Sequence, residues 1–222
     1  MRVKKIAAIL IGMTLFFGSA LNAAEKAGKA VKAVKAEKTE KTEEAADSKA
    51  KKGDRMDLIK FDKGEMGGES NDSVVFSLAK EHVEKGKMYS CKMVFKKKDT
   101  AEGTKWVPYL RFVGVKGKRS NWKDYDTVNI KYFVAGDKPL TFGLIFTDAQ
   151  TTKNMQYGSY CSQSVTFQPG EGVASIDITG LQTNGGGRSM DLETMGGIGG
   201  GMTTNREEDQ TVFIQSIYLE KE

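Results

Sequence analysis

The sequence predicts an all-β protein, an antiparallel β-sandwich of the jelly-roll type, and three observations lead to that fold class. Apolar and polar residues alternate with a period of two over much of the chain after residue 54, as in half-buried strands. Turn signals rich in Gly, Pro and Asp separate the alternating segments. Only residues 189–195 have a short helical pattern, so two packed antiparallel sheets are favoured. The alternating segments are residues 58–61, 74–78, 89–95, 107–115, 127–134, 140–147, 155–167, 173–178 and 211–219.

The segments 127–134 and 140–147 show the alternation most clearly. Every second residue is large and apolar: Val128, Ile130, Tyr132 and Val134 in the first segment, and Leu140, Phe142, Leu144 and Phe146 in the second. The turn between them, 135–139, is short enough for a hairpin. We therefore expect two central strands whose apolar faces point to the core.

The first 23 residues have the pattern of a secretory signal peptide. A basic start with Arg2, Lys4 and Lys5 precedes a short apolar run, and small residues follow near Ala23. The run is too short for a good membrane span, and no cysteine follows it to carry a bacterial lipid anchor. The sequence thus predicts an exported protein, periplasmic or secreted, that does not span the membrane after cleavage near Ala23.

Residues 24–54 predict a charged spacer that is disordered or partly helical. Lysine recurs at every third position from Lys26 to Lys41, a spacing that leaves no apolar stripe on a helix. The low-complexity composition of Ala, Glu and Lys fits a linker. A polycation that binds an anionic polymer is the alternative, although several glutamates dilute its charge. The folded domain is expected over residues 55–222.

The basic balance of the chain comes from this N-terminal part. The whole sequence has a formal net charge of +5, and the signal-like and spacer segments each contribute +3, so the remainder carries −1. A near-neutral domain gives no support to nucleic-acid binding. Its length is sufficient to bury a core without metals or several disulfides.

The two cysteines, Cys91 and Cys161, share parity with core positions of their predicted strands. After export they would meet an oxidising compartment, and a pair allows one intramolecular bridge. A buried disulfide and two buried free thiols are both open, and the disulfide is slightly favoured.

Several motifs in sequence order resemble the galactose-binding-like jelly-roll domains, a superfamily that includes many carbohydrate-binding modules of glycoside hydrolases. The motifs are Trp-x-x-Tyr-Asp-x-Val-x-Ile-x-Tyr at 122–132, Val-x-Ser-Ile-Asp-Ile-x-Gly-Leu at 173–181, Arg-Ser-Met-Asp-Leu at 188–192 and Phe-Ile-Gln-Ser-Ile-Tyr-Leu at 213–219. The resemblance covers nearly all of the chain after the spacer. One departure is the glycine run 196–201, where such modules usually carry a strand. The sequence itself favours a flexible loop over 185–201.

The resemblance also implies roles for individual residues. In such modules Trp122 and Tyr125 would pack at the edge of the sandwich, with ligand stacking by Trp122 as the alternative. A structural calcium ion is common in jelly rolls of this kind. Asp62, Glu65, Glu69 and Asp72 could contribute oxygen ligands, although they match no ligand-loop pattern.

Catalytic signatures are scarce in the sequence. The one histidine, His82, has no paired His or Cys and is interpreted as a surface or capping residue. There is no Gly-x-Ser-x-Gly nucleophile motif and no phosphate-binding glycine loop. Paired carboxylates remain the one enzymatic option, although each is better interpreted as a turn or edge residue. The carboxylates considered are Asp124, Asp126, Asp148, Asp177, Asp191 and Glu193.

Strand parity predicts where a glycan would bind. In the segment 107–115, Leu110 and Phe112 have core parity, so Tyr109 and Arg111 face the opposite side. If the strands are neighbours, one open face would combine aromatic rings with hydrogen-bonding groups, as saccharides require. The alternative is that Phe133 and Tyr160 are covered by a loop and only complete the core. The predicted ligand-binding residues are Tyr109, Arg111, Lys131, Phe133 and Tyr160, with Trp106 at the rim and Trp122 as a secondary candidate.

The sequence thus predicts an exported, non-catalytic protein that resembles a carbohydrate-binding module and binds a polysaccharide or glycan on one sheet face. A structural or assembly protein of the cell envelope, which binds a protein partner through that face, is the alternative. A small carboxylate-based hydrolase or lyase comes third.

Overall fold

The computed structural model describes residues 51–66, 68, 70, 74–97, 110–202 and 208–222, which lie within one compact unit, Asp47–Glu222. These residues form ten strands, several 3-10 turns and one five-residue helix. The predicted all-β sandwich is therefore confirmed. The signal-like segment and most of the spacer lie outside the described residues.

Two antiparallel sheets face each other. The first contains β1 (Arg55–Asp57), β2 (Val74–Ala79), β3 (Ser90–Phe95), β5 (Thr127–Val134), β8 (Gly170–Asp177) and β10 (Gln210–Glu220). Its order is β2-β3-β10-β5-β8, with β1 beside the C-terminal end of β10. The second contains β4 (Leu110–Gly114), β6 (Leu140–Asp148), β7 (Cys161–Phe167) and β9 (Met195–Met202), in the order β4-β9-β6-β7.

The predicted hairpin between residues 127–134 and 140–147 is wrong, although both segments are strands. β5 pairs with β8 and β10 in the first sheet, whereas β6 pairs with β7 and β9 in the second. The turn at 135–139 therefore crosses from one sheet to the other. The apolar faces of β5 and β6 both point inward and pack against each other across the core. The alternation therefore reports burial between the sheets and does not show that the two strands pair.

Aromatic rings fill the space between the sheets. Phe95 packs edge-on against Phe142 with ring centroids 5.3 Å apart, and Tyr132 stacks on Phe167 at 4.3 Å. The Tyr132 hydroxyl accepts a hydrogen bond from the backbone N–H of Gln168 at 3.0 Å. The buried phenol group of Tyr132 thus has a hydrogen-bond partner within an otherwise apolar core.

Trp122 belongs to this core and not to a binding surface. Its side chain is fully buried, edge-on to Phe146 at 6.3 Å, and its indole N–H donates to the carbonyl oxygen of Arg119 at 2.8 Å. Tyr125 is partly buried against the same cluster. Both residues therefore pack in the sandwich, as the resemblance implies. The ligand-stacking role considered for Trp122 is wrong, because its ring has no exposed surface.

β9 corrects the interpretation of residues 185–201 as a flexible loop. Its glycines form an interior strand of the second sheet, paired with β4 on one side and β6 on the other. A Cβ on Gly200 would lie 2.9 Å from the carbonyl oxygen of Gly143 and 3.4 Å from Cδ2 of Leu144. Glycine has a low strand propensity, but here the close approach of β6 requires it. The strand that the family resemblance places here is present.

Other boundaries differ from the alternation pattern. Residues 58–61 are not a strand, because the chain leaves β1 and enters a 3-10 turn at Phe61–Lys63. A 3-10 turn at Tyr157–Ser159 precedes β7, so the strand predicted from residue 155 begins at Cys161. Residues 189–195 form no helix: Ser189 bridges to Gln182, a turn follows, and Met195 begins β9. The helix, α1, is at Ala149–Lys153.

The two cysteines are buried and are not joined to each other, so the favoured disulfide is not formed and the alternative of two thiols applies. Cys91 lies in β3 of the first sheet, opposite Ile214 and Leu78, and Cys161 begins β7 at an edge of the second sheet. Shared core parity does not place two residues at the same point across the core. Burial raises the pKa of the Cys161 thiol, which keeps it in the uncharged form.

A buried ion pair at the end of β6 joins several segments. The fully buried Asp148 carboxylate accepts hydrogen bonds from the Arg188 guanidinium at 2.6 and 2.9 Å. It also accepts the backbone N–H of Asp191 at 3.0 Å and that of Thr151 at 2.8 Å, where it caps α1. We call Asp148, Thr151, Arg188 and their partners the Asp148 cluster.

The Asp148 cluster determines the charge state of its central carboxyl. Burial alone would raise the pKa of Asp148, but the hydrogen bonds from Arg188, Asp191 and Thr151 outweigh it and hold the pKa well below its usual range. The same ion pair raises the pKa of Arg188. Asp148 therefore remains charged throughout the neutral and mildly acidic range.

Replacing Gly200 by alanine should lower the free energy of unfolding by about 1 to 3 kcal/mol, because the added methyl group meets a backbone carbonyl of β6 that cannot move independently. Urea unfolding of the variant and the parent measures this difference. The control is Gly180→Ala, where a Cβ meets nothing within 4 Å. Equal stability of the two variants would contradict the tight contact between β9 and β6.

Asp148→Asn should lower the free energy of unfolding by about 2 to 4 kcal/mol at pH 7, because it leaves Arg188 without its buried partner. The folded pKa of Asp148 is depressed, so its contribution is complete above the unfolded pKa of about 4 and is lost as the pH falls through the folded pKa. The difference between parent and variant should therefore shrink below about pH 4.

Urea unfolding at neutral pH and at about pH 2.5 measures this pH dependence. Asp137→Asn, in the exposed turn between the sheets, is the matched control and should change stability by less than about 0.5 kcal/mol. An Asp148→Asn difference that is the same at both pH values would argue against a charged carboxylate at the centre of the cluster.

Candidate functional site

The sequence-predicted site residues do not share one face. Arg111 lies in β4 of the second sheet, whereas Lys131 and Phe133 lie in β5 of the first. Trp106 and Tyr109 lie outside the described residues. The expectation that these strands are neighbours is wrong, because the chain changes sheets between β4 and β5.

The outer face of the first sheet is partly covered at Phe133. The His82 ring, from the connection between β2 and β3, stacks on Phe133 at 3.5 Å between centroids, and Phe213 packs nearby at 6.3 Å. Lys131 is paired with Glu171 at 3.7 Å. A loop residue therefore covers Phe133, which is the alternative considered for this residue. His82 itself is exposed, as its interpretation as a surface residue predicts.

The outer face of the second sheet carries a groove of about 500 Å³, formed by β6, β7 and the segment before β7. We call it the tyrosine groove. Its lining residues are Thr141, Gly143, Leu144, Ile145, Tyr157, Tyr160, Ser162, Gln163 and Ser164. Among the predicted site residues that the structure describes, Tyr160 lines it.

Two tyrosines form one end of the groove. Their rings are edge-to-face with centroids 6.0 Å apart, and Tyr157 is 72% exposed while Tyr160 is half-buried. A largely exposed aromatic ring beside a groove is unusual for a side chain with only a packing role. The ring face of Tyr157 is accessible to a ligand.

The Asp148 cluster fixes the backbone that carries these tyrosines. The carbonyl oxygen of Ser159 accepts hydrogen bonds from the Thr151 hydroxyl at 2.6 Å and from the Arg188 guanidinium at 3.1 Å. On the other side, the backbone N–H of Asn184 donates to the carbonyl oxygen of Tyr160 at 2.8 Å. The Asn184 side chain in turn bonds both the backbone N–H and the hydroxyl of Ser162. The tyrosines are thus held from two directions.

Strand register relates the groove strands, β6 and β7, to β9 and β4 of the same sheet. Arg111 pairs with Gly199, which pairs with Ile145, which pairs with Ser162. In the adjacent row of the same face, Gly201, Gly143 and Ser164 are in register. Arg111 of the predicted site therefore lies in the row that contains Ile145 and Ser162, on the same sheet as Tyr160.

None of the described residues that line the groove is charged. Hydroxyls of serine and threonine and the amide of Gln163 supply donors and acceptors, and the tyrosine rings supply apolar faces. Thr141 and Thr166 share a hydrogen bond of 3.0 Å across β6 and β7 at one end. Such a surface can bind a neutral, hydroxyl-rich ligand.

Sequence reasoning missed most of this lining. Ser162, Ser164 and Thr166 alternate with inward positions of β7, and this polar alternation was the available signal for an outward binding row. Tyr157 had no such signal, because it lies in a 3-10 turn whose position depends on contacts with distant residues.

Five of the six carboxylates considered for catalysis make structural contacts, as shown above for Asp148. Asp126 accepts from Lys221 at 2.8 Å, Asp177 accepts the backbone N–H of Thr179 at 2.8 Å, and Asp191 accepts the Thr194 hydroxyl at 2.6 Å. Glu193 pairs with Lys123. These contacts are those of turn and edge residues.

Two of the proposed calcium ligands have protein partners. Asp62 accepts the backbone N–H groups of Met88 and Tyr89 at 2.7 and 3.2 Å. Glu65 pairs with Arg119 at 2.8 Å, which lowers the pKa of Glu65. Glu69 and Asp72 lie outside the described residues. Among the residues that the structure describes, no three His, Cys, Asp or Glu side chains are grouped to hold a metal ion.

In the described part of the chain, no helix has the length and apolar character to cross a membrane. No protein-family model and no curated protein matches the amino-acid sequence. Comparison of folds is more informative, because solved structures match over most of the described domain.

Three solved structures are similar at low sequence identity. The family 11 carbohydrate-binding module of Clostridium thermocellum, solved with a β-1,3-1,4-mixed-linked tetrasaccharide, matches with a TM-score of 0.50 and 10% identity over 78% of this chain and 98% of the module. CtCBM11, solved in solution, matches with a TM-score of 0.51 and 14% identity over 77% of this chain and 96% of its own. The agarase AgWH50C matches with a TM-score of 0.51 and 11% identity over 77% of this chain, which spans a quarter of the agarase (25%).

At these identities the similarity establishes the fold. The two modules are matched over nearly their whole length, so their complete architecture, and not a fragment of it, is present here. The resemblance drawn from the sequence motifs is confirmed at this level: the domain has the jelly-roll fold of carbohydrate-binding modules.

Proposed function

We propose that this chain is an exported, non-catalytic module that binds a neutral polysaccharide in the tyrosine groove. The observation that carries the proposal is the exposed ring of Tyr157 beside rows of uncharged hydrogen-bonding side chains on one sheet face. The jelly-roll fold shared with carbohydrate-binding modules supports it. The signal-like pattern of residues 1–23 supports export.

The tyrosines supply the apolar part of recognition. A pyranose ring presents polarised C–H groups on its faces, and these pack against an aromatic ring. Tyr157 is rigid enough for this role because its backbone is held by the Asp148 cluster through Ser159. Preorganisation of this kind lowers the entropy that is lost on binding.

The polar rows supply hydrogen bonds along the sugar chain. Ser162 and Ser164 lie two residues apart on the same face, about 7 Å along the strand. Their hydroxyls can therefore bond different hydroxyls of one sugar chain. The absence of charge in the groove lining favours a neutral glycan over an acidic one.

The rival functions have less support. An envelope assembly protein needs a large apolar patch. The exposed large apolar side chains of the described residues are instead scattered: Val75 and Val173 lie in opposite edge strands of the first sheet, and Met88 and Met155 lie in connections. A carboxylate-based hydrolase needs two acids free to act on a glycosidic bond. Asp126, Asp148, Asp177 and Asp191 instead make structural contacts.

Tyr157→Ala should weaken polysaccharide binding by about 1 to 2 kcal/mol, which is roughly 5- to 30-fold in Kd, without loss of the fold. Tyr160→Ala should weaken it by a similar amount. Arg111→Ala, whose effect was expected from the sequence, should weaken it by about 1 to 3 kcal/mol. A pull-down with a panel of polysaccharides identifies the ligand, and calorimetry of each variant then gives the affinity.

The matched control is Val173→Ala, an exposed residue on the outer face of the first sheet, which should bind like the parent. Parent-like affinity of both tyrosine variants, for a polysaccharide that the parent binds, would place the site elsewhere. Retention by none of the panel would count against the proposed function itself.

Salt dependence provides a separate check on the nature of the ligand. Because the groove lining is uncharged, the Kd should change by less than about twofold between about 50 and 500 mM NaCl. A binding site that depends on ion pairs with an acidic glycan would weaken strongly over this range. A strong decrease in affinity at high salt would therefore contradict the neutral-glycan assignment.

A further inference from the structure

Asn184 begins the short 3-10 turn Asn184–Gly186, which contacts the start of β7 beside the tyrosine groove. Gly185 follows it and completes the one Asn-Gly pair of the amino-acid sequence. In such a pair the backbone nitrogen of the glycine can attack the side-chain amide carbon of the asparagine, because glycine has no side chain to shield that nitrogen. The amide of the asparagine is then lost as ammonia, which converts the residue to an acid.

The structure leaves the attacking nitrogen of Gly185 accessible. Gly185 is exposed and has φ of 77°, and a Cβ built on it would meet no atom within 4 Å. Within the described part of the chain, its backbone N–H makes no hydrogen bond. A hydrogen bond to a carbonyl oxygen would hold this nitrogen in place and retain its proton. Gly185 is therefore free to lose its proton and to approach the Asn184 side chain.

The Asn184 amide is oriented by two contacts with Ser162. Its oxygen Oδ1 accepts the backbone N–H of Ser162 at 3.0 Å, and its nitrogen Nδ2 donates to the Ser162 hydroxyl oxygen at 3.1 Å. A backbone N–H only donates, so the amide oxygen must face it and the amide nitrogen must face the hydroxyl. The Ser162 oxygen thus accepts from Asn184, which leaves the Ser162 proton for another acceptor.

The same two contacts suit the loss of the amide. When a nitrogen attacks Cγ of Asn184, negative charge develops on Oδ1, and a backbone N–H directed at that oxygen stabilises the charge as in an oxyanion hole. The leaving nitrogen Nδ2 must gain a proton. The Ser162 hydroxyl lies within hydrogen-bond distance of Nδ2 and carries a proton to donate.

We propose that Asn184 is a site of spontaneous deamidation and that Ser162 assists the reaction. The backbone nitrogen of Gly185 loses its proton and bonds to Cγ of Asn184, and the Cγ–Nδ2 bond breaks. The amide nitrogen leaves as ammonia with a proton from the Ser162 hydroxyl, which the proton released by Gly185 replaces. Water then opens the resulting ring, at Cγ to give aspartate or at the backbone carbonyl carbon to give isoaspartate. The reaction consumes water, releases ammonia and involves no oxidation or reduction.

The product changes the hydrogen bonding of the tyrosine groove, and this effect rests on the function proposed for the groove. Aspartate has an oxygen in place of Nδ2, so the Ser162 hydroxyl donates to the carboxylate and no longer to a ligand. The carboxylate also adds negative charge beside a lining whose described residues are uncharged. Deamidated chains should therefore bind a neutral polysaccharide about tenfold more weakly than the parent.

Incubation of the folded chain at mildly alkaline pH, followed by peptide mass spectrometry, tests the reaction without any ligand. Asn184 should convert to a mixture of aspartate and isoaspartate, whereas Asn121 and Asn154, which precede large side chains, should remain amides. Ser162→Ala should slow the conversion at least about threefold, because the proton donor is lost. Thr166→Ala, which removes a hydroxyl from the same strand, is the matched control and should leave the rate unchanged.

Two results of this experiment would overturn the proposal. Asn184 that stays intact in the folded chain but reacts in the urea-unfolded chain would show that the contacts with Ser162 protect the amide. Equal rates of conversion in Ser162→Ala and the parent would show that the hydroxyl gives no assistance.

Calorimetry with the polysaccharide selected in the panel measures the effect on binding separately. Asn184→Asp should bind about tenfold more weakly than the parent, whereas Asn121→Asp, which adds the same charge at an exposed position outside the groove lining, should bind as the parent does. Parent-like affinity of Asn184→Asp would overturn the effect on the groove. A parent that binds no polysaccharide would count against the function of the groove alone, because the conversion of Asn184 is measured by mass.

Discussion

The position of the tyrosine groove at the edge of the second sheet depends on one interaction, the ion pair between Asp148 and Arg188. Asp148 is the last residue of β6, and its buried carboxylate accepts hydrogen bonds from the helix, from Arg188 and from the backbone before β9. Such a pair gives little net stability compared with apolar side chains of the same volume. What apolar side chains could not provide is the set of directed hydrogen bonds. The pair therefore fixes the positions of several connecting segments, whereas the burial of apolar surface provides most of the stability of the fold.

The position of the tyrosines follows from that specification. Thr151 and Arg188 both bond the carbonyl oxygen of Ser159, so the turn that carries Tyr157 and Tyr160 cannot move without disturbing the carboxylate. The glycines of β9 make a complementary contribution, because Gly200 allows β6 and β9 to approach closely beneath the same face. Asp191 of the Asp148 cluster lies shortly before β9, and Ile145 of the groove pairs with Gly199 of β9. A shift of β9 would therefore disturb both. The tyrosine groove is thus coupled to the core of the sandwich even though its two tyrosines lie in and beside a turn.

The sequence allows the strands with strong alternation to be predicted, since β2, β3, β5, β6 and β10 each present an apolar face at every second residue. It does not allow β9 to be predicted, because glycine has no side chain to carry a periodic signal and its place in the strand depends on contacts with Gly143 and Leu144. The alternation pattern also does not predict which strands pair. The segments of β5 and β6 have the pattern of a hairpin, yet the two strands lie in opposite sheets. For that reason the predicted site was divided, with Arg111 and Tyr160 on one sheet and Lys131 and Phe133 on the other. Parity identifies which side of a strand a residue occupies, whereas strand order decides which residues meet.

The two outer faces of the sandwich differ because the chain covers one of them with its own side chains. On the first sheet, His82 adopts a left-handed backbone conformation, with φ of 47°, which places its ring on Phe133. A non-glycine residue in that region is strained by about 1 kcal/mol or more, and the aromatic contact offsets part of that strain. Nearby, Arg55 lies over the ring of Tyr218 at 3.7 Å and is paired with Glu84. The rings of Phe133 and Tyr218 on this face are therefore already covered by a histidine and an arginine side chain. On the second sheet, Tyr157 remains 72% exposed. Of the two faces, the one beside the tyrosine groove therefore keeps an accessible aromatic ring, as the proposed glycan binding requires.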